Sequence, residues 1–266
     1  NAAHKPPAWK RDSSGLYVIA DRNGEMELAY VSVEDFSVEF LTDTGTDKHS
    51  VALSPDQELI AYVSGDNDTE NIWIYDLYLR ESYPATFSDG ARKTMLSFSP
   101  DGTKVLFHKN NPETGMDIMV LDVETNIVSQ QTNFPNFEYD AQWIDDTTIG
   151  FSGNTEDSGF AGRVWFQKAL DQTSIDSIVG NKSGWVVTPI ATNKGNRIYY
   201  QLNWPVGNFF SHDLSTNSVR QLSTRIHAPI VSQDETNFAF AKSAEDVFHE
   251  IRIENIEHLF SGRSFP

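Results

Sequence analysis

The sequence predicts an all-β fold, a six-bladed β-propeller of four-stranded antiparallel blades. Three observations carry the prediction: a repeat of about 44 residues that fills the chain, short β-type runs inside the repeats, and polar turns between those runs. Aligning Trp9-Lys10-Arg11-Asp12, Leu53-Ser54-Pro55-Asp56, Phe98-Ser99-Pro100-Asp101, Trp143-Ile144-Asp145-Asp146, Ile190-Ala191-Thr192-Asn193 and Val231-Ser232-Gln233-Asp234 gives successive spacings of 44, 45, 45, 47 and 41 residues. A repeat of this kind buries its faces only against its neighbours, and four antiparallel strands per repeat are what a propeller blade requires. Residues 1–266 are thus expected to form a single domain of six repeats.

Within each repeat the anchor closes a first strand and the next apolar run reads as the second. These runs are Leu16-Tyr17-Val18-Ile19, Leu59-Ile60-Ala61-Tyr62, Val105-Leu106-Phe107, Ile149-Gly150-Phe151, Ile198-Tyr199-Tyr200 and Phe238-Ala239-Phe240. Third strands follow a polar loop, as in Ile72-Trp73-Ile74-Tyr75, Ile118-Met119-Val120-Leu121, Val164-Trp165-Phe166 and Ile251-Arg252-Ile253. Weaker fourth runs such as Ser218-Val219-Arg220-Gln221-Leu222 close the unit. The Ser-Pro-Asp of the second and third repeats falls at the first turn, where Pro presets φ and Asp bonds its own backbone, so that Asp is read as structural.

Charge narrows the partners. The chain has 38 acidic against 20 basic residues, a net charge of −18, which repels phosphate backbones and anionic lipid heads. Nucleic acid and membrane insertion are therefore not expected, and a neutral or cationic partner is. No apolar stretch reaches the ~18 residues of a membrane span. With no cysteine, disulfides, thiolate catalysis and Cys-type zinc sites are excluded.

Ser54-Pro55-Asp56, followed by Leu59-Ile60-Ala61-Tyr62-Val63-Ser64 and Asn71-Ile72-Trp73-Ile74-Tyr75-Asp76-Leu77, resembles the WD-like repeat of TolB-type propellers, and Ser99-Pro100-Asp101-Gly102 echoes it. The resemblance spans essentially the whole chain, most strongly in the second and third repeats. It implies a periplasmic or secreted monomer that binds a protein or glycan without catalysis and without a cofactor. A similarity to oligogalacturonate lyase implies an alternative, a polysaccharide lyase assisted by a divalent metal.

Loops between second and third strands, and between one blade and the next, leave on the same face, where binding residues concentrate. The first strands begin near His4, His49, Lys93, Tyr139, Trp185 and His227, and these positions are expected to ring one mouth. His4, His49 and His227 come from consecutive blades of a closed ring and are the candidate metal ligands, with Asp66 or Glu70 as an oxygen donor. Tyr139, Phe160, Trp185 and Trp204 form an aromatic sector that either stacks on a ligand or caps the core, and Arg92 with Lys93 supplies a local basic patch. No G-x-S-x-G elbow and no phosphate-binding glycine loop occurs.

Overall fold

The computed structural model describes residues 7–66, 69–87, 89–111, 115–133, 138–153, 164–179, 186–191, 197–202, 207–213, 215–231, 237–243 and 249–256. The chain divides into two compact units, Asn1–Phe137 and Glu138–Pro266.

The first unit holds three four-stranded sheets, each laid out in chain order. They are β1 (Ala8–Trp9), β2 (Gly15–Arg22), β3 (Glu25–Ser32) and β4 (Val38–Phe40); β5 (Lys48–Leu53), β6 (Leu59–Ser64), β7 (Asn71–Asp76) and β8 (Glu81–Pro84); β9 (Lys93–Phe98), β10 (Lys104–Asn111), β11 (Gly115–Asp122) and β12 (Val128–Gln130). All neighbours are antiparallel, as the short polar turns require.

These sheets bury both faces, which is why their central strands read as nearly unbroken apolar runs. Tyr17, Leu28, Val51, Ile60, Tyr62 and Tyr75 make one buried cluster. Ala61, Val63, Ile72, Ile74, Leu96, Phe98 and Phe107 belong to a second. Ile60 and Ala61 are neighbours in sequence yet lie in different clusters, because successive strand residues point to opposite faces. Each fully buried large apolar side chain contributes about 1.5–3 kcal/mol.

The first-turn aspartates are structural, as expected. Asp56 Oδ1 accepts the Glu58 N–H at 3.0 Å and the Ser54 hydroxyl, and Asp101 Oδ1 accepts the Thr103 N–H at 3.0 Å and the Ser99 hydroxyl at 2.6 Å. The Ser54 hydroxyl donates to the Asp56 carboxyl, and hydrogen bonding of this kind holds that carboxyl below its usual pKa. In the fourth repeat Asp145, rather than Asp146, plays this part, accepting the Thr147 N–H at 2.8 Å.

A second repeating device closes the fourth strands. The hydroxyls of Thr42, Thr86 and Thr132 accept the backbone N–H of Leu28, Ile72 and Ile118 at 3.0, 2.8 and 2.8 Å, each bond spanning 14 residues. All three threonines are buried, so no solvent can replace the acceptor. Thr86→Val, which keeps the shape and removes the oxygen, is expected to lower stability by about 1–2 kcal/mol in urea unfolding, the effect of stranding a buried donor.

In the second unit, β13 (Glu138–Trp143), β14 (Thr148–Gly153), β15 (Val164–Ala169) and β16 (Asp176–Val179) repeat the four-stranded pattern. The remaining strands depart from it. β17 (Val186–Ala191), β18 (Arg197–Leu202), β19 (Gly207–Asp213), β20 (Ser218–Val231), β21 (Asn237–Ser243) and β22 (His249–Asn255) form one six-stranded sheet. The described strands thus fall into five sheets, where the repeat predicts six separate ones. The physical reason is β20, whose 14 residues pair with β19 at one end and β21 at the other. Ser218–Val231 contains no Gly, Asn or Asp to reverse the chain, and its Val, Ile and Thr residues favour extension.

Candidate functional site

Five first strands carry an irregularity near their start. The ladder slips between His49 and Val51 of β5, at Thr94–Ser97 of β9, and between Tyr139 and Gln142 of β13, Val187 and Ile190 of β17, and His227 and Ile230 of β20. Ser50, Met95 and Asp140 sit inside the first three bulges with φ of 54°, 58° and 53°, and their numbers step by 45. In β17 and β20 the bulge holds Pro189 and Pro229, where the ladder asks for no N–H. A bulge re-aims the side chain beside it. His49, Thr94, Tyr139, Val187 and His227 are the residues immediately before it, so the register places His49, Tyr139 and His227 at equivalent positions of their own strands.

Lys93 shares its position with Lys48, the residue before His49, because both open their strands. A one-residue step in a strand turns a side chain to the opposite face. Lys93 is accordingly buried. Its Nζ donates to Glu70 O at 2.9 Å, Ala91 O at 3.1 Å and Asp89 Oδ1 at 2.9 Å, which uses its three donors. Asp89 also meets Lys109 Nζ at 2.6 Å. Burial would raise the Asp89 carboxyl, but the ammonium groups of Lys109 and Lys93 outweigh it and bring it down to about 2.

Glu70, just ahead of β7, organises the groups that solvent can reach. Its side chain is only 3% exposed. Oε2 accepts the Lys93 backbone N–H at 2.7 Å, while Oε1 lies 3.1 Å from His49 Nε2 and 3.8 Å from Arg92 Nε. The His49 side chain is 23% exposed and the Arg92 side chain 45%. A buried carboxylate therefore holds a partly buried imidazole and a half-exposed guanidinium side by side at the loop end of the first unit. The Arg92 nitrogens turned away from Glu70 can donate to a carboxylate, phosphate or sugar oxygen.

The other ring nitrogen of His49, Nδ1, lies 3.1 Å from Ser50 Oγ. Both imidazole nitrogens are thus occupied, and a metal ion on His49 would have to displace Glu70 or Ser50. Among the described residues no group of three His, Asp or Glu side chains is arranged to hold a metal. His4, Phe160, Trp185 and Trp204 lie outside the described residues, and of His227 only the strand position is described. Tyr139 is partly buried. Asp66 is exposed, with its backbone N–H bonded to Thr69 Oγ1 at 3.0 Å.

Sequence reasoning passed over a buried ion pair in the same unit. Glu27 Oε2 and Lys48 Nζ stand 2.6 Å apart, each side chain 1% exposed. Glu27 Oε1 accepts the N–H groups of Thr44 at 2.8 Å and Gly45 at 3.2 Å, while Lys48 donates to Thr44 Oγ1 at 2.6 Å and Thr46 O at 2.8 Å. The lysines repeat with the blade, 45 residues apart (48 to 93), but the acids do not: the Thr42–Leu28 and Thr86–Ile72 bonds set Glu27 against Asn71, one residue beyond Glu70.

No family model matches the sequence, and no curated protein matches it. Solved structures do. TolB from Acinetobacter baumannii superposes with a TM-score of 0.64 at 18% identity, over 93% of this chain and 62% of its own. The fold is that of a TolB-like β-propeller. An oligogalacturonate lyase from Vibrio parahaemolyticus gives a TM-score of 0.75 at 13% identity, covering 94% of this chain and 74% of that one. Dipeptidyl peptidase 4 from Porphyromonas gingivalis gives 0.71 at 9% identity, covering 96% and 44%. The chain thus spans under two thirds of that TolB and under half of the peptidase. One propeller scaffold serves a lyase and a peptidase as well as TolB, so the fold leaves the activity open. No helix among the described residues is long and apolar enough to cross a membrane.

Proposed function

We propose that this chain is a non-catalytic binding propeller that recognises a protein or glycan at its loop-rich mouth, as a monomer in the periplasm or outside the cell. The observation that supports this most is the Glu70 cluster. It presents His49 beside the bulge of β5 and Arg92 just ahead of β9, both held against the buried Glu70 carboxylate, which is how a binding group is preorganised. Tyr139, Phe160, Trp185 and Trp204 are the aromatic ligand contacts in this reading, and Lys93 contributes by holding Glu70 and its loop. A partner that carries its own negative charge meets the field of the −18 chain, so Arg92 is the group on which recognition of an acceptor oxygen depends.

The test uses the full chain, immobilised and probed with a glycan array and with envelope proteins. Arg92→Ala is expected to weaken the captured ligand about tenfold, equivalent to ~1.4 kcal/mol, with an unchanged melting temperature because the side chain is half exposed. A ligand retained with full affinity by Arg92→Ala and by His49→Ala would sink this reading.

The likeness to oligogalacturonate lyase supports a second reading, a metal-assisted polysaccharide lyase with His4, His49 and His227 around a divalent ion. Metal analysis of the purified chain separates the two. A stoichiometric metal lost in His49→Ala favours the lyase, and its absence from protein purified without chelator favours binding alone.

A further inference from the structure

A groove of about 510 Å³ lies along the outer flank of the second sheet, inside the first unit, between that sheet and the connection from β4 to β5. Its size is within the ~300–1,000 Å³ common for small-molecule sites. The floor comes from strand alternation: Asn71, Trp73 and Tyr75 of β7 face the groove, while Ile72 and Ile74 face the core on the other side. Trp73 is half-buried and offers ring surface, whereas Tyr62 and Tyr75 are buried.

The opposite wall, residues 41–46, is a connection that would be loose on its own. It is held from behind by Glu27, which takes the Thr44 and Gly45 N–H groups and the Thr42 hydroxyl, and by Lys48, which takes Thr44 Oγ1 and Thr46 O. The wall is therefore rigid before any ligand arrives.

Charge and hydrogen bonding then select the occupant. The two charged residues that line the groove are both paired, Asp43 with Arg22 at 3.1 Å and Arg80 with Glu39, so neither sign of charge is left over for an ion. What remains is a set of small neutral groups: the Thr46 hydroxyl; the Ser64 hydroxyl, which gives its proton to Asp47 O at 3.4 Å and can still accept; the Asn71 amide, which gives one proton to Thr69 O at 3.3 Å and has a second to donate; and Ser82, whose oxygen accepts from Tyr62 at 2.9 Å and keeps its own proton to donate. An aromatic face beside alternating hydroxyl and amide groups fits a molecule with an apolar ring face and many hydroxyls. We propose that this groove binds a short neutral oligosaccharide, with Trp73 as the stacking surface. It shares no lining residue with the Arg92 cluster and stands independently of the function proposed above.

The test titrates the full chain with maltotriose, cellotriose, xylotriose, mannotriose and N,N′,N″-triacetylchitotriose by calorimetry, with trigalacturonate as the anionic control. At least one neutral trisaccharide is expected to bind at low-millimolar concentration and to shift the Trp73 indole N–H resonance. Trp73→Leu should weaken that binding about tenfold or more, one lost contact's worth. Thr46→Ala, which removes one groove hydroxyl and leaves the Lys48 bond to the Thr46 backbone carbonyl in place, should weaken it several-fold and covers the case in which Trp73→Leu fails to fold. Arg92→Ala should leave it unchanged. The proposal is overturned if no neutral trisaccharide binds, if binding leaves the Trp73 resonance unmoved, if Trp73→Leu folds and binds as before, or if trigalacturonate binds as well as the best neutral sugar.

Discussion

Lys48→Met is expected to lower the unfolding free energy by about 3–5 kcal/mol in urea at neutral pH, the range for removing one partner of a buried ion pair. The substitution keeps most of the volume and strands the Glu27 carboxylate, still bonded to Thr44 N, Gly45 N and the Thr42 hydroxyl but with no cation 2.6 Å away. The loss measures an uncompensated buried charge rather than the worth of the pair. The double variant Glu27→Leu/Lys48→Met should therefore recover much of the stability, and a double variant no better than Lys48→Met alone would refute the account. The pair also sets a pH dependence. Burial pushes the Glu27 carboxyl up, but the Lys48 ammonium, the Thr42 hydroxyl and the Thr44 N–H outweigh it and hold the pKa below the usual carboxylate value. Between the folded and unfolded pKa the unfolded chain binds more protons, so stability there rises with pH. The contribution is complete above the unfolded value of about 4.3 and is lost as pH falls through the lower folded value. Glu27→Gln should flatten that part of the acid limb.

The fold was legible in the sequence wherever local chemistry repeats with the blade. Ser54-Pro55-Asp56 and Ser99-Pro100-Asp101 make the same turn because Pro fixes φ and Asp bonds the N–H two residues on, and both can be read from residue type alone. The first-strand bulge could not be read that way. Ser50, Met95 and Asp140 share a positive φ and nothing chemical, so no residue type announces it. The anchors Leu53 and Phe98, 45 residues apart, already set Lys93 against Lys48 and one residue before the position of His49, and that single step decides whether its amine faces a ligand or lies buried against Glu70. The same limit applies to β20: the period places a blade boundary within Ser218–Val231, but the segment has no Gly, Asn or Asp to take up a positive φ there. Of the candidate site, Arg92 and His49 were named from their place near the start of the first strands, which the period of the repeat supplies. Glu70 was named as a possible metal ligand, while its role as the acceptor that gathers them comes from long-range packing that no local pattern encodes.

Gly150→Ala is expected to destabilise the second unit by about 3 kcal/mol, at the upper end of what overpacking a tight core produces. Gly150 is buried in β14, and a methyl group built on it would lie 2.1 Å from Trp165 Cζ2 and within 3 Å of two further atoms of the indole. Register explains the closeness. Trp165 of β15 pairs with Ser152, two residues along β14, and its ring leans diagonally across the strand into the space that a side chain at 150 would fill. Glycine is required there for space, and the aromatic covers the backbone that glycine leaves bare. Trp165 is wholly buried, so the ring cannot swing clear. The single substitutions should consequently couple. Trp165→Leu alone opens a cavity, but in its presence Gly150→Ala should become nearly harmless, and the double variant should be more stable than the sum of the two effects predicts. Gly24→Ala is the contrasting case: nothing lies within 4 Å of its added methyl and only its φ of +96° opposes it, so its effect should be smaller and independent of Trp165. Additive effects of Gly150→Ala and Trp165→Leu in urea unfolding would show that the clash is relieved by backbone movement and that the glycine serves another purpose.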